Sequence, residues 1–285
     1  MMRLTKPIYT CEQAIDNCIS GITGNKVLLQ KLNNAKKFLK IQANNYVASA
    51  ILGELYTIQS LLYQDDVDPI VLGELKKTDF LKIYSNYFVK KDKPGRVIYD
   101  AMMAAANEKC PFCGGIGRPR NLDHYLPKAH YPQFSVLPIN LIPSCRDCNM
   151  DGKGDDFART EEEQIIHPYL DDVRYFNEQW IFAQYIVGEE GEPGVFKFFT
   201  RPPEHWENVH KQRAEKHFND FCLDVRFSKE AGARFITLLS QIQALTRLGL
   251  SIEEIKNSLI RPVINSAPFV NYWERVMHVA LLDSL

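Results

Sequence analysis

Apolar residues recur at helical spacing through much of the first hundred positions. Leu28, Leu32, Ala35 and Leu39 make one stripe and Leu52, Leu55, Ile58 and Leu62 another, so residues 10–109 are predicted to be an α-helical region. Within it, Lys90, Lys91, Lys93 and Arg96 stand among Asp92, Pro94 and Gly95, a turn expected to open a helix over residues 97–108. The tetrapeptide Leu-Gly-Glu-Leu occurs at 52–55 and again at 72–75, but the flanks do not match and the chain has no repeat. Over residues 110–156 the periodicity stops while Cys, Gly, Pro, Asn and Asp accumulate, so something other than a hydrophobic stripe must order this stretch. Aromatic and β-branched runs at 181–187 and 195–199 flank Gly-Glu-Glu-Gly-Glu-Pro-Gly, the pattern of a hairpin with a long loop. Helical spacing returns at Phe235, Leu238, Ile242 and Leu245. Gly249 ends that stripe, and Ser251 with Glu254 forms a capping box for the next helix.

Composition narrows the class. The chain has 285 residues, 45% apolar and 24% charged, an ordinary globular balance with enough length to build a core without disulfides. With 34 basic and 35 acidic residues the net charge is -1, which excludes a polybasic coat for nucleic acid but leaves room for a local patch. No stretch approaches the roughly 20 apolar residues that span a bilayer. The opening MMRLTKPIYTCEQ lacks the apolar region of a signal peptide, so the expected location is cytoplasmic. In that reducing setting the seven cysteines are more often metal ligands or reactive groups than disulfides. Walker A and GxSxG patterns are both absent, which removes a nucleotide-hydrolysing motor and a serine hydrolase.

The cysteines carry the first chemistry. Cys110-Pro-Phe-Cys113 and Cys145-Arg-Asp-Cys148 are two CxxC pairs separated by the 31 residues 114–144. Two residues between cysteines let both thiolates turn inward on a tight knuckle, and Gly114 and Gly115 supply the backbone freedom it needs. Four thiolates close a tetrahedral Zn2+ site and leave no position for water or substrate, so its expected role is structural. Cys11, Cys18 and Cys222 are unpaired by spacing and are expected to be buried.

Between the knuckles lies Leu122-Asp123-His124-Tyr125-Leu126-Pro127-Lys128, then Pro138-Ile139-Asn140-Leu141, with Asn149 directly after Cys148. This arrangement resembles the HNH endonucleases of the zinc-knuckled ββα-metal type, over roughly residues 110–153. The resemblance implies His124 as general base, Asp123 and Asn149 as ligands of one catalytic Mg2+ or Mn2+, and Asn140 as the residue fixing the loop that aims His124. Hard oxygen donors suit such a cation. An imidazole can take a proton from water near neutral pH. Many relatives carry His where this chain has Asn149, so reaction class is better defined than metal preference. The segment 109–153 holds six basic against three acidic residues, a local +3 that fits a nucleic-acid partner and also an ordinary solvated surface. His130 is expected to pack its loop, and His167 to belong to a turn, outside the catalytic set.

The expected architecture is mainly α with an embedded small ββα-metal (HNH) core stabilised by a four-cysteine zinc site, and one β-hairpin in the C-terminal region. It divides into an N-terminal helical region (1–108), the nuclease core (109–157) and a C-terminal hairpin and helical region (158–285). The expected function is metal-dependent hydrolysis of nucleic acid, DNA before RNA, without a membrane. Flanking helices of this kind look like those of nuclease subunits in bacterial anti-phage systems, the Septu type in particular, which often work beside an ATPase partner. Two alternatives stay open: a non-catalytic zinc-stabilised module that binds nucleic acid or protein, and an RNA-directed nuclease of the same type.

Overall fold

Helix α1 (Cys11–Gly21) begins at a capping box in which Thr10 and Gln13 satisfy each other's backbone N–H. Helix α2 (Lys26–Leu52) is opened by the Asn25 side chain accepting from the Leu28 N–H. The predicted stripe Leu28, Leu32, Ala35 and Leu39 is buried and continues through Ala43, Tyr46 and Ala50. The computed structural model describes residues 1–61, 68–189 and 192–285.

The second predicted stripe is not a helix. Gly53 takes a left-handed conformation (φ 76°) that ends α2 at Leu52, Leu55 lies in a single 3-10 turn, and Ile58 is extended. Leu62 lies outside the described residues. Strands β1 (Ile70–Leu72) and β2 (Leu75–Lys76) pair antiparallel around Gly73, also left-handed (φ 58°). The two Leu-Gly-Glu-Leu segments therefore use the same glycine freedom for different ends, a helix stop and a strand turn.

Helix α3 (Lys77–Lys82) runs into a π-helical segment, Ile83–Phe88, and α4 (Arg96–Ala105) follows. The helix expected to reach residue 108 stops at Ala105 because Asn107 and Glu108 turn left-handed (φ 47° and 60°) and redirect the chain toward Cys110. One apolar core joins these helices to the strands that follow: Leu32, Leu39, Phe80, Phe88 and Ile98 pack with Leu122 and Leu141.

Strands β3 (Asn121–His124) and β4 (Leu141–Ser144) pair antiparallel, with Asp123 opposite Ile142 and His124 opposite Leu141. Pro143 brings no donor. The Leu122 carbonyl, which can receive no N–H from Pro143, accepts from the Tyr84 hydroxyl at 3.4 Å, and the Leu122 N–H donates to the Tyr99 hydroxyl at 3.4 Å. Where a ββα core would continue as an α-helix, the chain forms a seven-residue π-helical turn, Asp147–Lys153, stopped by left-handed Gly154 (φ 55°).

The chain divides into two compact units, Arg3–Asp171 and Asp172–Leu285 with Met1–Met2. The second contains α5 (Arg174–Asn177), the hairpin β5 (Ile181–Ile186) and β6 (Val195–Thr200), and helices α6 (Asn208–Asp220), α7 (Leu223–Arg247), α8 (Ile252–Ile255), α9 (Arg261–Ser266) and α10 (Trp273–Ser284). The hairpin is where the aromatic and β-branched runs place it; Glu190 and Gly191 of its loop lie outside the described residues. Tyr185 and Phe196 meet Phe235 of α7 edge to face. The capping box at Ser251 and Glu254 is formed. Among the described residues no helix is long and apolar enough to cross a membrane.

One cysteine departs from expectation. Cys18 is buried and Cys11 half-buried, but Cys222 is exposed, because it forms the left-handed corner (φ 48°) between α6 and α7 and its side chain never meets a core.

Gly95 permits the close approach of α4 to the preceding π-helical segment. A Cβ there would stand 2.5 Å from the Tyr87 carbonyl oxygen and 2.9 Å from Phe88 Cα. Gly95→Ala should destabilise the chain by about 1–3 kcal/mol in denaturant titration. An unchanged midpoint would contradict this account of the contact.

Candidate functional site

The four paired cysteines converge. The sulfurs of Cys110, Cys113, Cys145 and Cys148 all lie within 4.8 Å of one another, and all four residues are buried. Thiolates about 2.3 Å from one tetrahedral ion stand about 3.8 Å apart, and Cys113 Sγ and Cys145 Sγ are 4.0 Å apart. The first knuckle has the expected glycines, Gly114 and Gly115, at φ 63° and 91°, and the Gly117 N–H donates to Cys113 Sγ at 3.2 Å. Hydrogen bonds from the neighbouring thiols, Cys110 first, hold the Cys145 thiol far below its ordinary range, while burial pushes Cys110 up. Four buried sulfurs crowded this closely fit a shared cation that lets all of them ionise. The cluster can hold a metal such as zinc.

Closing the knuckles returns the segment after Cys148 to β3. Asp123, His124, Pro127, Lys128, Asn149, Met150, Gly154 and Asp155 line one cavity of about 290 Å³. Three of the four catalytic candidates thus share a wall, and the fourth, Asn140, lies behind it. Neighbours on a strand point to opposite sides, but His124 is the last residue of β3, and at that end both Asp123 and His124 reach the cavity.

His124 is 4% exposed. Its Nε2 lies 2.9 Å from the Ser135 carbonyl oxygen. A carbonyl only accepts, so Nε2 carries the proton and Nδ1 is left with its lone pair. Burial, reinforced by the charge of Lys128, pulls the imidazole down to about 3, so the ring is neutral at physiological pH. Tyr84 closes its other side, ring centroids 4.6 Å apart.

Asp123 is 7% exposed and its Oδ2 makes no hydrogen bond. Its nearest cation is Lys153 Nζ at 3.8 Å, also buried. Burial raises the Asp123 carboxyl to about 6, against the opposing pull of Lys153. Burial likewise lowers Lys153. A buried carboxylate oxygen with no donor suits a hard cation. Asn149 donates through Nδ2 to Asn121 Oδ1 at 3.0 Å, which leaves its own carbonyl oxygen available as a second hard donor.

Asn140 is fully buried and uses its whole amide. Oδ1 accepts from the Leu126 N–H at 2.7 Å and from the Tyr46 hydroxyl at 2.9 Å, while Nδ2 donates to the carbonyls of Leu126 at 3.1 Å and Phe134 at 3.2 Å. The loop leaving His124 is therefore clamped at Leu126, and the loop bearing Ser135 at Phe134. Tyr46 in turn lies 3.2 Å from His167 Nε2, and the Tyr169 N–H donates to His167 Nδ1 at 3.2 Å. The donors run in one direction, from Tyr169 through His167 and Tyr46 to Asn140. His167 thus belongs to this buried network and not to the cavity, and His130 packs against Phe157 with the rings tilted at 48° and their centroids 4.8 Å apart.

Sequence reasoning missed Tyr46, Asp155 and the pairing of Lys153 with Asp123. Tyr46 had a readable signal: a tyrosine on the buried face of a helix needs a partner for its hydroxyl. Lys153 and Asp155 follow Asn149 across a glycine-punctuated turn whose path no periodicity reveals.

Asn140→Ala should cost about 3 kcal/mol or more, because it strands several buried partners at once, and Tyr46→Phe about 1–2 kcal/mol. Denaturant titration of the two variants checks the order. Equal, near-zero losses would remove the clamp from the account.

Comparison with known proteins gives two relatives. The chain is 35% identical to "Protein ea31" of Escherichia phage lambda over 294 aligned positions, covering 100% of this chain and 98% of the relative. It is also 35% identical to "Septu protein PtuB" of Bacillus thuringiensis over 75 residues, 25% of this chain and 28% of that protein. No protein-family model matches the chain, and no solved structure matches it.

Proposed function

The chain belongs to the family of the lambda protein ea31, and for this member we propose a metal-dependent endonuclease of the HNH type that hydrolyses phosphodiester bonds in nucleic acid, DNA before RNA. The observation that carries the reading is the state of His124: its Nε2 proton is committed to the Ser135 carbonyl, so Nδ1 is a bare base on a cavity wall beside a carboxylate oxygen with no hydrogen-bond donor.

In this mechanism water gives a proton to His124 Nδ1 as its oxygen bonds to phosphorus. The P–O3′ bond breaks, leaving a 5′-phosphate, and the departing O3′ takes a proton from a second solvent water to become the 3′-hydroxyl, while the proton on His124 returns to solvent. Asp123 Oδ2 and the Asn149 carbonyl oxygen would hold one Mg2+ or Mn2+, which when bound supplies neutralisation of the charge that develops on the phosphate. Lys153 keeps the Asp123 carboxylate in place behind the cavity. Asn140 acts through the loop and touches no reacting atom, so it is a positioning residue. The four cysteines hold zinc and keep Asn149 beside β3.

The partial match to the Septu protein supports a role in antiviral defence, and an ATPase as the protein partner is what the resemblance of the cysteine segment to Septu-type nucleases implies. The helices around the cysteine segment would serve docking and substrate placement.

Incubation of the full chain with supercoiled plasmid and Mg2+ should give nicked product, abolished by EDTA and reduced at least about a hundredfold in His124→Ala, the usual weight of a general base. Cleavage surviving in His124→Ala would refute the assignment. Nucleic-acid binding without cleavage under Mg2+ or Mn2+ would favour the zinc-stabilised binding module.

A further inference from the structure

We propose that Lys128 grips the phosphate backbone of duplex DNA beside the cleaved bond; the proposal rests on the nuclease reading and names the contact that delivers the substrate to it.

Two lysines stand at the cavity, and the structure separates their roles. Lys153 is buried, and its ammonium is spent on Asp123 at 3.8 Å. Lys128 is half-buried and lines the cavity wall with Asp123, His124 and Asn149. Among the described residues no carboxylate lies within ion-pair distance of it; its ammonium rests over the Tyr84 ring, 5.7 Å from the centroid. A cation with no acidic partner, facing a cavity that also holds a base and hard oxygen donors, is suited to a diffusible anion. An ammonium on a flexible stem serves well as a point charge for phosphate.

The backbone that carries Lys128 is anchored while its side chain lines the cavity. Two residues upstream, both the N–H and the carbonyl of Leu126 are held by Asn140. One residue upstream, the Pro127 carbonyl accepts from the His130 and Tyr131 N–H groups at 3.0 and 2.8 Å. The clamp that aims His124 therefore also fixes the Cα of Lys128, so base and cation are set relative to each other before substrate arrives. The remaining lining charges do not oppose this. Asp123 is offset by Lys153, and Asp155 is exposed to solvent. A divalent cation held by Asp123 would leave the wall positive.

The test measures binding of a fluorescently labelled duplex to the full chain by anisotropy, in Mg2+ across a series of KCl concentrations. The His124→Ala background keeps the duplex intact, and wild-type cleavage is scored separately. Neutralising one phosphate contact makes the slope of log Kd against log salt shallower by about 1. Lys128→Gln should show that change together with weaker binding, and Lys128→Arg should restore the slope. An unchanged slope in Lys128→Gln, with wild type still cleaving, overturns the Lys128 contact and leaves the nuclease reading standing. If wild type binds the duplex but never cleaves it, the nuclease reading falls, and the slope still decides Lys128. No binding of the duplex by either protein overturns the contact outright. Equal thermal melting of Lys128→Gln and its parent would show that the partly exposed side chain acts on the ligand and not on folding.

Discussion

Four sulfurs within 4.8 Å of one another are the constraint on which the site depends. Residues 110–156 contain no hydrophobic stripe of their own; Leu122 and Leu141 join the core of the helical region, and the four cysteines gather where they could hold a metal such as zinc. The geometry of the constraint matters more than its strength. Tying Cys110 and Cys113 to Cys145 and Cys148 closes a long loop, and the residue leaving the last cysteine is Asn149, which shares a cavity with Asp123 and His124. A ligand bond at one end of the loop thus sets a distance at the other.

Around that closure the chain has built a buried, hydrogen-bonded frame. Asn140 satisfies four partners, Tyr46 brings α2 into the network, and Tyr84 and Tyr99 satisfy both backbone groups of Leu122 opposite Pro143. The helical region is therefore more than an appendage to the cysteine-bearing segment. Its aromatic side chains form the wall behind His124 and supply hydroxyls that the short strands lack. Burial has an electrostatic result as well: it holds His124 neutral and leaves Asp123 poorly solvated beside a single buried lysine.

How much of this can be read from the chain alone depends on how local the signal is. The stripe of α2, the β5–β6 hairpin, the Ser251–Glu254 cap and both cysteine knuckles follow from spacing within a few residues, and each is formed. A short motif singles out Asp123, His124 and Asn149, and they line one cavity. The misreadings of helix length have one cause. The stripe through Leu52, Leu55 and Ile58 keeps its apolar spacing across Gly53, whose left-handed backbone breaks the helix, and Asn107 with Glu108 ends α4 early in the same way. Side-chain spacing does not report backbone sign. Residue type predicts a core position for Cys222, but it occupies an exposed corner. Lys153 and Asp155 join the site through tertiary contacts that no pattern in one chain encodes, whereas Tyr46 is legible as a buried helical tyrosine whose hydroxyl needs a partner, though not which partner.

The most direct test of the closure is hydrogen exchange on the full chain before and after stoichiometric zinc removal. The account predicts that amides of β3, β4 and the turn Asp147–Lys153 lose protection together while α2 and the β5–β6 hairpin keep theirs. Retained protection across β3 and β4 without metal would show that the strands hold the site by themselves, and the four-thiolate constraint would lose its place at the centre of the account.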